Sequence, residues 1–178
     1  MSTGRPIDDG GRIVLVPSDP RWPEVYAAVR ARVLDALGPA ARSVDHVGST
    51  SVPGLAAKPV IDVVVTVNDP EDEAAYVPAL AAAGFAVAVR EPDWYHHRCL
   101  KATDPWVNLH VFPDGCVEVD RMRWFRDRLR AHPDERERYQ AAKEALAARR
   151  WDEVQDYADA KTGVVASIMG SCPHVDRT

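Results

Sequence analysis

The chain has 178 residues, of which 46% are hydrophobic, and this is enough for one domain with a full hydrophobic core. The net charge of −5 excludes a broadly basic surface, so strong nucleic-acid binding is not expected, although a local basic pocket is compatible with it. No run approaches the roughly 18 apolar residues of a membrane span, and the N-terminus lacks the apolar core of a signal peptide, which predicts a soluble cytoplasmic protein without a membrane partner.

The first half of the chain alternates strand and helix patterns. Residues 1–11 are polar and Gly-rich and are predicted to form a disordered tail. The elements predicted next are a strand or extended segment over 13–16, a helix over 23–37, strands over 43–47 and 60–67, a helix over 71–83 and a strand over 85–89. The run over 60–67 is almost wholly apolar and β-branched, which indicates a strand in the middle of a sheet.

The second half begins with a predicted hairpin and continues as helices. Strand patterns over 96–101 and 106–112 flank a turn, and helical patterns cover 119–131, 134–149 and 152–169. Strands that alternate with helices and then give way to helices predict an α+β fold, with a mixed β-sheet, packed helices and a helical C-terminal half. No linker divides the chain, so residues 1–178 are predicted to form a single domain.

A polar turn, Gly48-Ser49-Thr50-Ser51, follows the strand predicted over 43–47. A glycine at this position lets the backbone turn tightly and lets a ligand approach the amides, and three hydroxyls add hydrogen-bond donors. The same residue types are common in ordinary turns. The turn is therefore a candidate phosphate-binding segment, and it is neither a Walker loop nor a dinucleotide-binding fingerprint.

Asp62 lies between Ile61 and Val63 at the start of the predicted central strand. A carboxylate there is costly unless it is paired, hydrogen-bonded or bound to a metal. It either caps a local turn or faces the Gly48–Ser49 turn and holds a hard cation that also contacts a substrate phosphate. Lys58 precedes the same strand and could place an ammonium near that phosphate, although exposed loop lysines are more common.

The predicted hairpin carries a cluster of histidines. Alternate strand residues face one side, so His96 and Arg98 are expected to share a face and His97 to take the other. Asn108 and His110 likewise share a face. Pairing of the two strands would then form a basic, imidazole-rich patch on one side of the sheet.

His46, two residues before Gly48, is expected to lie on the same side of the sheet as this patch. Histidines in such a group serve as metal ligands, general bases or phosphate contacts, whereas a single strand histidine is usually only hydrogen-bonded. Three strands that offer histidines near one buried aspartate favour a functional group.

Four basic residues stand on helix faces that pack against the rest of the chain. Lys161 and Lys143 lie within the apolar faces of the last two predicted helices. Arg126 and Arg130 are four residues apart on the helix before them. Such side chains either extend to the edge of an interface or reach into a cleft where an anion neutralises them, and Asp127 could make part of this charge purely structural.

The run Val44 to Val65 reads VDHVGSTSVPGLAAKPVIDVVV. It resembles the signature of the GrpB family, an uncharacterised-protein family of about this length with the fold of the nucleotidyltransferase superfamily. The segments VPSDPRWPEVYAAVRARVLDALG, VNLHVFPDG and WFRDRLRAHPDERERYQAAKEALA are also similar to GrpB segments, so the resemblance covers most of the chain. It implies a nucleotidyltransferase-like core, in which helices pack against a small mixed sheet.

The superfamily pattern is Gly followed by Gly or Ser, a spacer, two acids separated by one residue, and a third acid from a later strand. Gly48 and Ser49 match it, and Asp62 follows at a compatible spacing. Val64 stands at the second acid position, and His110 is the polar candidate on the later strand. The resemblance thus implies Asp62 and His110 as metal ligands, with Mg²⁺ or Mn²⁺, or alternatively Zn²⁺ or another transition metal that suits imidazole.

Together the residues and the resemblance favour a metal-dependent nucleotidyltransferase-like transferase. It would bind a nucleotide or phosphorylated small molecule and transfer a nucleotidyl group to a small-molecule acceptor, with Asp62, His110 and His46 as the catalytic residues. Two alternatives stay open because fold-level kinship does not establish a reaction. One is a different small-molecule enzyme with an Asp/His metal site or a His base, and the other is a non-catalytic ligand-binding module.

Overall fold

A five-stranded β-sheet forms the centre of the computed structural model, which describes residues 12–151 and 154–173. The strands are β1 Ser43–Val47, β2 Ile61–Val67, β3 Ala86–Glu91, β4 His97–Thr103 and β5 Trp106–Pro113. Their order across the sheet is β1-β2-β5-β4-β3, with β2 parallel to β5 and the other neighbouring pairs antiparallel. This mixed sheet confirms the predicted fold class and places β2 in the sheet interior, as its β-branched run indicated.

Six α-helices lie in the described residues, four of them after the sheet is complete. They are α1 Trp22–Leu37, α2 Val77–Ala82, α3 Val117–Ala131, α4 Pro133–Ala147, α5 Val154–Ala160 and α6 Thr162–Met169. The last four confirm the predicted helical C-terminal half. None of the helices in the described ranges is long and apolar enough to cross a membrane.

The two sides of the sheet have different neighbours. The side that carries Val63, Leu109 and Leu100, here called the core face, packs against α1 and α2 in the main hydrophobic core. The opposite side, here called the cavity face, is covered at one end by α3, where Val64 packs with Phe112 and Val119. Its other end, at the first residues of β2 and β5, faces a cavity beneath the last helices.

Two predicted helices differ from the observed ones for local reasons. The helix predicted over 71–83 is a 3-10 turn at Glu73–Ala75 followed by α2, because a proline in the first turn of α2 starts a new helix. The helix predicted over 152–169 is divided at Lys161 into α5 and α6. At that break Thr162 Oγ1 donates to the carbonyl of Asp159 at 2.6 Å, a local bond that competes with helix continuation.

The segment predicted over 13–16 is extended and packs on the core, and Val16 forms a β-bridge with Ala57. The predicted tail over 1–11 lies outside the described residues, as do positions 152–153 of the last predicted helix.

Candidate active site

The cavity on the cavity face has a volume of about 960 Å³. Its floor is formed by β2, β5 and β4 through Asp62, Asn108, His110 and Cys99, and its roof by side chains of α4 and of the α5–α6 junction. The Gly48–Ser49 turn closes one wall. A strand end beside a turn leaves backbone amides and polar side chains directed at the same space, which is the usual setting of a small-molecule site.

Glycine at position 48 is required by the close approach of Asp62. Gly48 has φ of +68°, and a Cβ placed on it would lie 2.9 Å from Asp62 Cβ and closer still to Asp62 Oδ2. The turn and the aspartate therefore pack directly against each other. The prediction that Asp62 faces the Gly48–Ser49 turn is confirmed. The two are close because β1 ends opposite the start of β2, with Val47 paired to Asp62.

Gly48→Ala is expected to lower the free energy of unfolding by roughly 3 kcal/mol or more, because left-handed strain and steric overlap add. Gly115→Ala is the matched control, since Gly115 has φ of +74° with nothing within 4 Å of its added Cβ. It should cost only about 1–2 kcal/mol. Urea unfolding of both variants measures the difference, and equal losses would contradict the close packing.

The hydroxyls of the turn have separate roles. Ser49 Oγ lies at the cavity, where it accepts a hydrogen bond from Lys143 Nζ at 3.1 Å. Thr50 Oγ1 donates to the carbonyl of Val60, and Ser51 Oγ donates to the carbonyl of Gly48. Of the three predicted hydroxyl donors, therefore, those of Thr50 and Ser51 are used to stabilise the turn, and that of Ser49 lies at the cavity.

Asp62, Asn108 and His110 form the polar floor. The parallel register places Asp62 opposite Asn108, and Asn108 Nδ2 donates to Asp62 Oδ1 at 2.8 Å. His110 Nε2 lies 4.0 Å from the same oxygen. The structure thus brings Asp62 and His110 together, and their predicted roles in catalysis and metal binding stay predictions.

A paired-carboxylate, two-metal site does not fit this floor. Val64 is fully buried under α3, and within residues 12–151 and 154–173 no three His, Cys, Asp or Glu side chains converge as a metal site. A single hard cation does fit, because Asp62 Oδ2 accepts no hydrogen bond from the described residues, whereas Oδ1 is taken by Asn108. Val64, at the position of the second acid in the superfamily pattern, is therefore a core residue, and no acid beside Asp62 in the described residues replaces the missing carboxylate.

All four lysines of the chain line this cavity: Lys58, Lys101, Lys143 and Lys161. None of the arginines in the described part of the chain does so. Within the same residues, none of the four ammonium groups forms an ion pair with a carboxylate at 4.0 Å or less. In a chain of net charge −5, this concentration of positive groups makes the cavity locally basic.

Lys143 reaches the cavity from α4 and is only 2% exposed. Its ammonium donates to Ser49 Oγ and to the carbonyl of Ala56, and it lies 5.0 Å from the Tyr139 ring centroid. Burial, followed by repulsion from Lys161, lowers the pKa of Lys143 to about 7. An anion beside this group would restore its protonation.

Lys58 and Lys161 are held by the same aromatic ring. Their ammonium nitrogens lie 5.6 and 4.8 Å from the Tyr157 ring centroid. Burial lowers the pKa of both, that of Lys161 to about 8, while the negative charge of Asp62 acts in the opposite direction on each. The Tyr157 hydroxyl beside them is buried and has no hydrogen-bond partner in the described ranges.

The three predicted arginines do not reach this cavity. Arg98 pairs in register with Val111, so its side chain lies on the core face, where Nε donates to Glu73 Oε1 at 2.7 Å. Arg126 donates to the carbonyl of His46, and Arg130 to that of Ser51. These guanidinium groups satisfy backbone carbonyls or a carboxylate, so their predicted phosphate contacts are not supported by where they lie.

His46 also lies on the core face, so the prediction that it shares a side of the sheet with the other histidines was wrong. It is buried, its ring stacks on Tyr26 at 4.6 Å between centroids, and its Nε2 bonds with Thr50 Oγ1 at 3.0 Å. Burial lowers the pKa of His46 to about 4. Its placement supports a structural role behind the turn, and not contact with a ligand.

In the hairpin, the prediction that His96 and Arg98 share a face of the sheet with Asn108 and His110 was wrong by one residue. Tyr95 and His96 have φ of 52° and 53°, so β4 begins only at His97. Because Cys99 pairs with His110 and Lys101 with Asn108, these two β4 residues and His97 share the cavity face. His97, Lys101 and the neighbouring Glu91 were missed as candidate site residues, and the correct register between β4 and β5 would have revealed the first two.

The fold and the cavity define an α+β protein with a five-stranded mixed sheet, in which a Gly-Ser turn and one aspartate lie at adjacent strand ends. The chain belongs to the GrpB family, since the family model described as GrpB protein matches residues 12–171. The family predicted from the run Val44 to Val65 is thereby confirmed.

Individual relatives agree with this assignment. The UPF0157 protein BH1888 of Halalkalibacterium halodurans is 49% identical over 157 residues, covering 88% of this chain and 80% of the relative. The UPF0157 protein SCO7215 of Streptomyces coelicolor is 47% identical over 150 residues, covering 84% and 78%. Among solved structures, the crystal structure of the conserved protein GrpB from Enterococcus faecalis has a TM-score of 0.76 at 25% identity, covering 88% of this chain and 98% of that one.

Proposed function

We propose that the cavity binds a nucleoside triphosphate with one divalent cation and transfers its nucleotidyl group to a hydroxyl of a small-molecule acceptor. The observation that carries this proposal is the convergence of all four lysines around Ser49 and Asp62 without a carboxylate partner. An ammonium without an ion-pair partner is costly where it is removed from water, as in the buried Lys143 and the partly buried Lys58 and Lys161, so their convergence is best explained by a ligand that supplies negative charge.

A polyphosphate matches the cluster better than a singly charged ligand. Lys143 already donates to Ser49, while Lys58 and Lys161 contact only the face of an aromatic ring. A phosphate chain offers several acceptor oxygens to these donors and to the unpaired Tyr157 hydroxyl. The volume of about 960 Å³ also leaves space for a nucleoside and an acceptor beside the phosphates.

The roles of the residues follow from their positions. The absence of a side chain at Gly48 lets Asp62 pack against the turn beside Ser49, and the lysines would neutralise the departing pyrophosphate. Asp62 would hold the cation, which when bound supplies Lewis-acid stabilisation of the phosphoryl oxygens. The acceptor oxygen forms a bond to the α-phosphorus, the bond to pyrophosphate breaks, and the hydroxyl proton passes to a base.

Calorimetric titration with the four common nucleoside triphosphates, in Mg²⁺ or Mn²⁺, tests the proposal. At least one should bind, and the double variant Lys58→Met/Lys161→Met should weaken that binding about 100-fold or more, since charge-assisted hydrogen bonds are lost. Arg149→Met is the matched control, because Arg149 also stacks on an aromatic ring, at 4.7 Å from the Trp151 centroid, but outside the cavity. No binding at millimolar concentration, or an equal loss in the control, would reject it.

A further inference from the structure

A continuous chain of side chains leads from the protein surface to the cavity floor. Glu91 Oε2 lies 2.7 Å from His97 Nδ1, and His97 Nε2 lies 3.0 Å from His110 Nδ1. His110 Nε2 then faces Asp62 Oδ1 at 4.0 Å. The first carboxylate is 47% exposed, whereas the His97 side chain is 5% exposed. The chain therefore connects solvent with the cavity through two imidazole rings.

The direction of every hydrogen bond in this chain follows from its first member. An ionised carboxylate only accepts, so His97 Nδ1 must carry the proton that lies between it and Glu91. In a neutral His97 the other nitrogen, Nε2, is then an acceptor, and His110 Nδ1 must be its donor. A neutral His110 is thereby left with an unprotonated Nε2 directed at the cavity.

Packing keeps both rings in this arrangement. His97 stacks on Phe112 at 4.7 Å and on His110 at 5.2 Å between centroids, and the edge of Trp94 contacts it from another side. His110 Nε2 and Asp62 Oδ1 face the same space. Oδ1 already accepts a hydrogen bond from Asn108, so Nε2 is the one of the two that lacks a donor among the described residues.

We propose that Glu91 and His97 are positioning residues that fix His110 with Nε2 unprotonated, so that it accepts the proton of the acceptor hydroxyl. This inference rests on the proposed function for the identity of that hydroxyl. As the hydroxyl oxygen bonds to the α-phosphorus and pyrophosphate leaves, the proton moves to Nε2 of His110. The resulting imidazolium of His110 keeps its Nδ1 proton donated to His97, and the Nε2 proton passes to solvent when the product leaves, which restores the resting tautomer.

The tautomer of His110 in the resting protein is the first test. Two-bond nitrogen–proton correlation spectra at neutral pH distinguish a protonated Nδ1 from a protonated Nε2. The wild type should show His110 protonated at Nδ1, and Glu91→Gln should produce a mixture or the reverse, because an amide can donate as well as accept. Glu71→Gln is the matched control, since Glu71 lies beside His96 at 3.4 Å and should leave His110 unchanged.

His97→Phe is a second variant that keeps the stacked ring and removes both nitrogens, and it should also mix the tautomers of His110. A wild-type His110 protonated at Nε2, or one insensitive to Glu91→Gln, would overturn the proposal. In the transfer reaction Glu91→Gln should lower kcat at least about 10-fold with unchanged triphosphate affinity, and an unchanged kcat would equally overturn it. Loss of triphosphate binding in the wild type, with the expected tautomer present, would reject the proposed function and leave the hydrogen-bond chain as assigned.

Discussion

Lys161→Met is expected to stabilise the fold and to weaken triphosphate binding in the same variant. The ammonium of Lys161 lies over the Tyr157 ring at the α5–α6 junction and has no carboxylate partner in the described residues. Methionine keeps the apolar stem and removes the desolvated charge. At pH 7 the free energy of unfolding should rise by about 1–3 kcal/mol, whereas triphosphate affinity should fall by roughly 10-fold to 100-fold.

The pH dependence of this gain has a defined sign. Burial lowers the pKa of Lys161 from 10.5 to about 8, so between these two values the unfolded chain binds more protons than the folded one. The free energy of unfolding of the wild type therefore rises with pH across that window, by up to about 1.4 kcal/mol per pH unit for one proton. The advantage of Lys161→Met should be full below pH 8 and should vanish as pH approaches 10.5.

Urea unfolding at pH 7 and pH 10, compared between variant and wild type, measures both effects. Lys101→Met is the control, because Lys101 lines the same cavity but is exposed, so its removal should leave stability nearly unchanged. A loss of stability in Lys161→Met at pH 7 would show that the ammonium is compensated within the protein. Stabilisation that accompanies loss of binding is typical of residues kept for function.

The sequence predicted the fold and some of the residues that line the candidate cavity, but it missed others on the neighbouring strands. Gly48, Ser49 and Asp62 were identified because a turn residue and an acid at strand ends are local signals. The mixed sheet followed from β-branched runs and from the family resemblance. These features depend on a few neighbouring residues, so a single sequence carries them.

The face of the sheet that each β4 side chain takes depends on the register between β4 and β5, which the sequence pattern does not show. Cys99 pairs with His110 because the turn that joins β4 and β5 pairs Thr103 with Trp106, and this register decides which alternate residues of β4 face the cavity. It places Arg98 on the core face and His97 beside His110. The four lysines come from separate segments, so their convergence became visible only with the tertiary structure.

The exclusion of arginine from the cavity also explains how a chain of net charge −5 can carry a basic site. Arg123 bonds with Asp45, and Arg128 with Glu135, so the guanidinium groups of α3 are used within the fold. Arginine suits such fixed, bidentate pairing, whereas the lysine ammonium is a compact charge that loses its proton when buried. In this cavity burial lowers the pKa of Lys58, Lys143 and Lys161, and a bound anion would raise it.

Asp62→Asn is expected to abolish nucleotidyl transfer while triphosphate binding without metal persists. Asparagine keeps the shape of the side chain and an oxygen that can accept from Asn108 Nδ2, so the floor should remain folded. The transfer rate should fall at least about 1,000-fold, because the cation loses its protein carboxylate ligand. Purified wild type and variant are compared by pyrophosphate release with a panel of hydroxyl acceptors, and Asp104→Asn, in the exposed turn between β4 and β5, is the control.

The binding data separate a metal-dependent enzyme from a ligand-binding module. Without metal, the charge of Asp62 repels phosphate, so Asp62→Asn should bind triphosphate as well as or more tightly than the wild type. This comparison belongs near pH 5.5, well below the pKa of about 7 of Lys143, because Asp62 raises the pKa of Lys58, Lys143 and Lys161 and its removal would otherwise change their protonation. With Mg²⁺ the wild type should gain affinity and the variant should not. An equal gain in both would place the cation elsewhere and would favour a binding module without catalysis at Asp62.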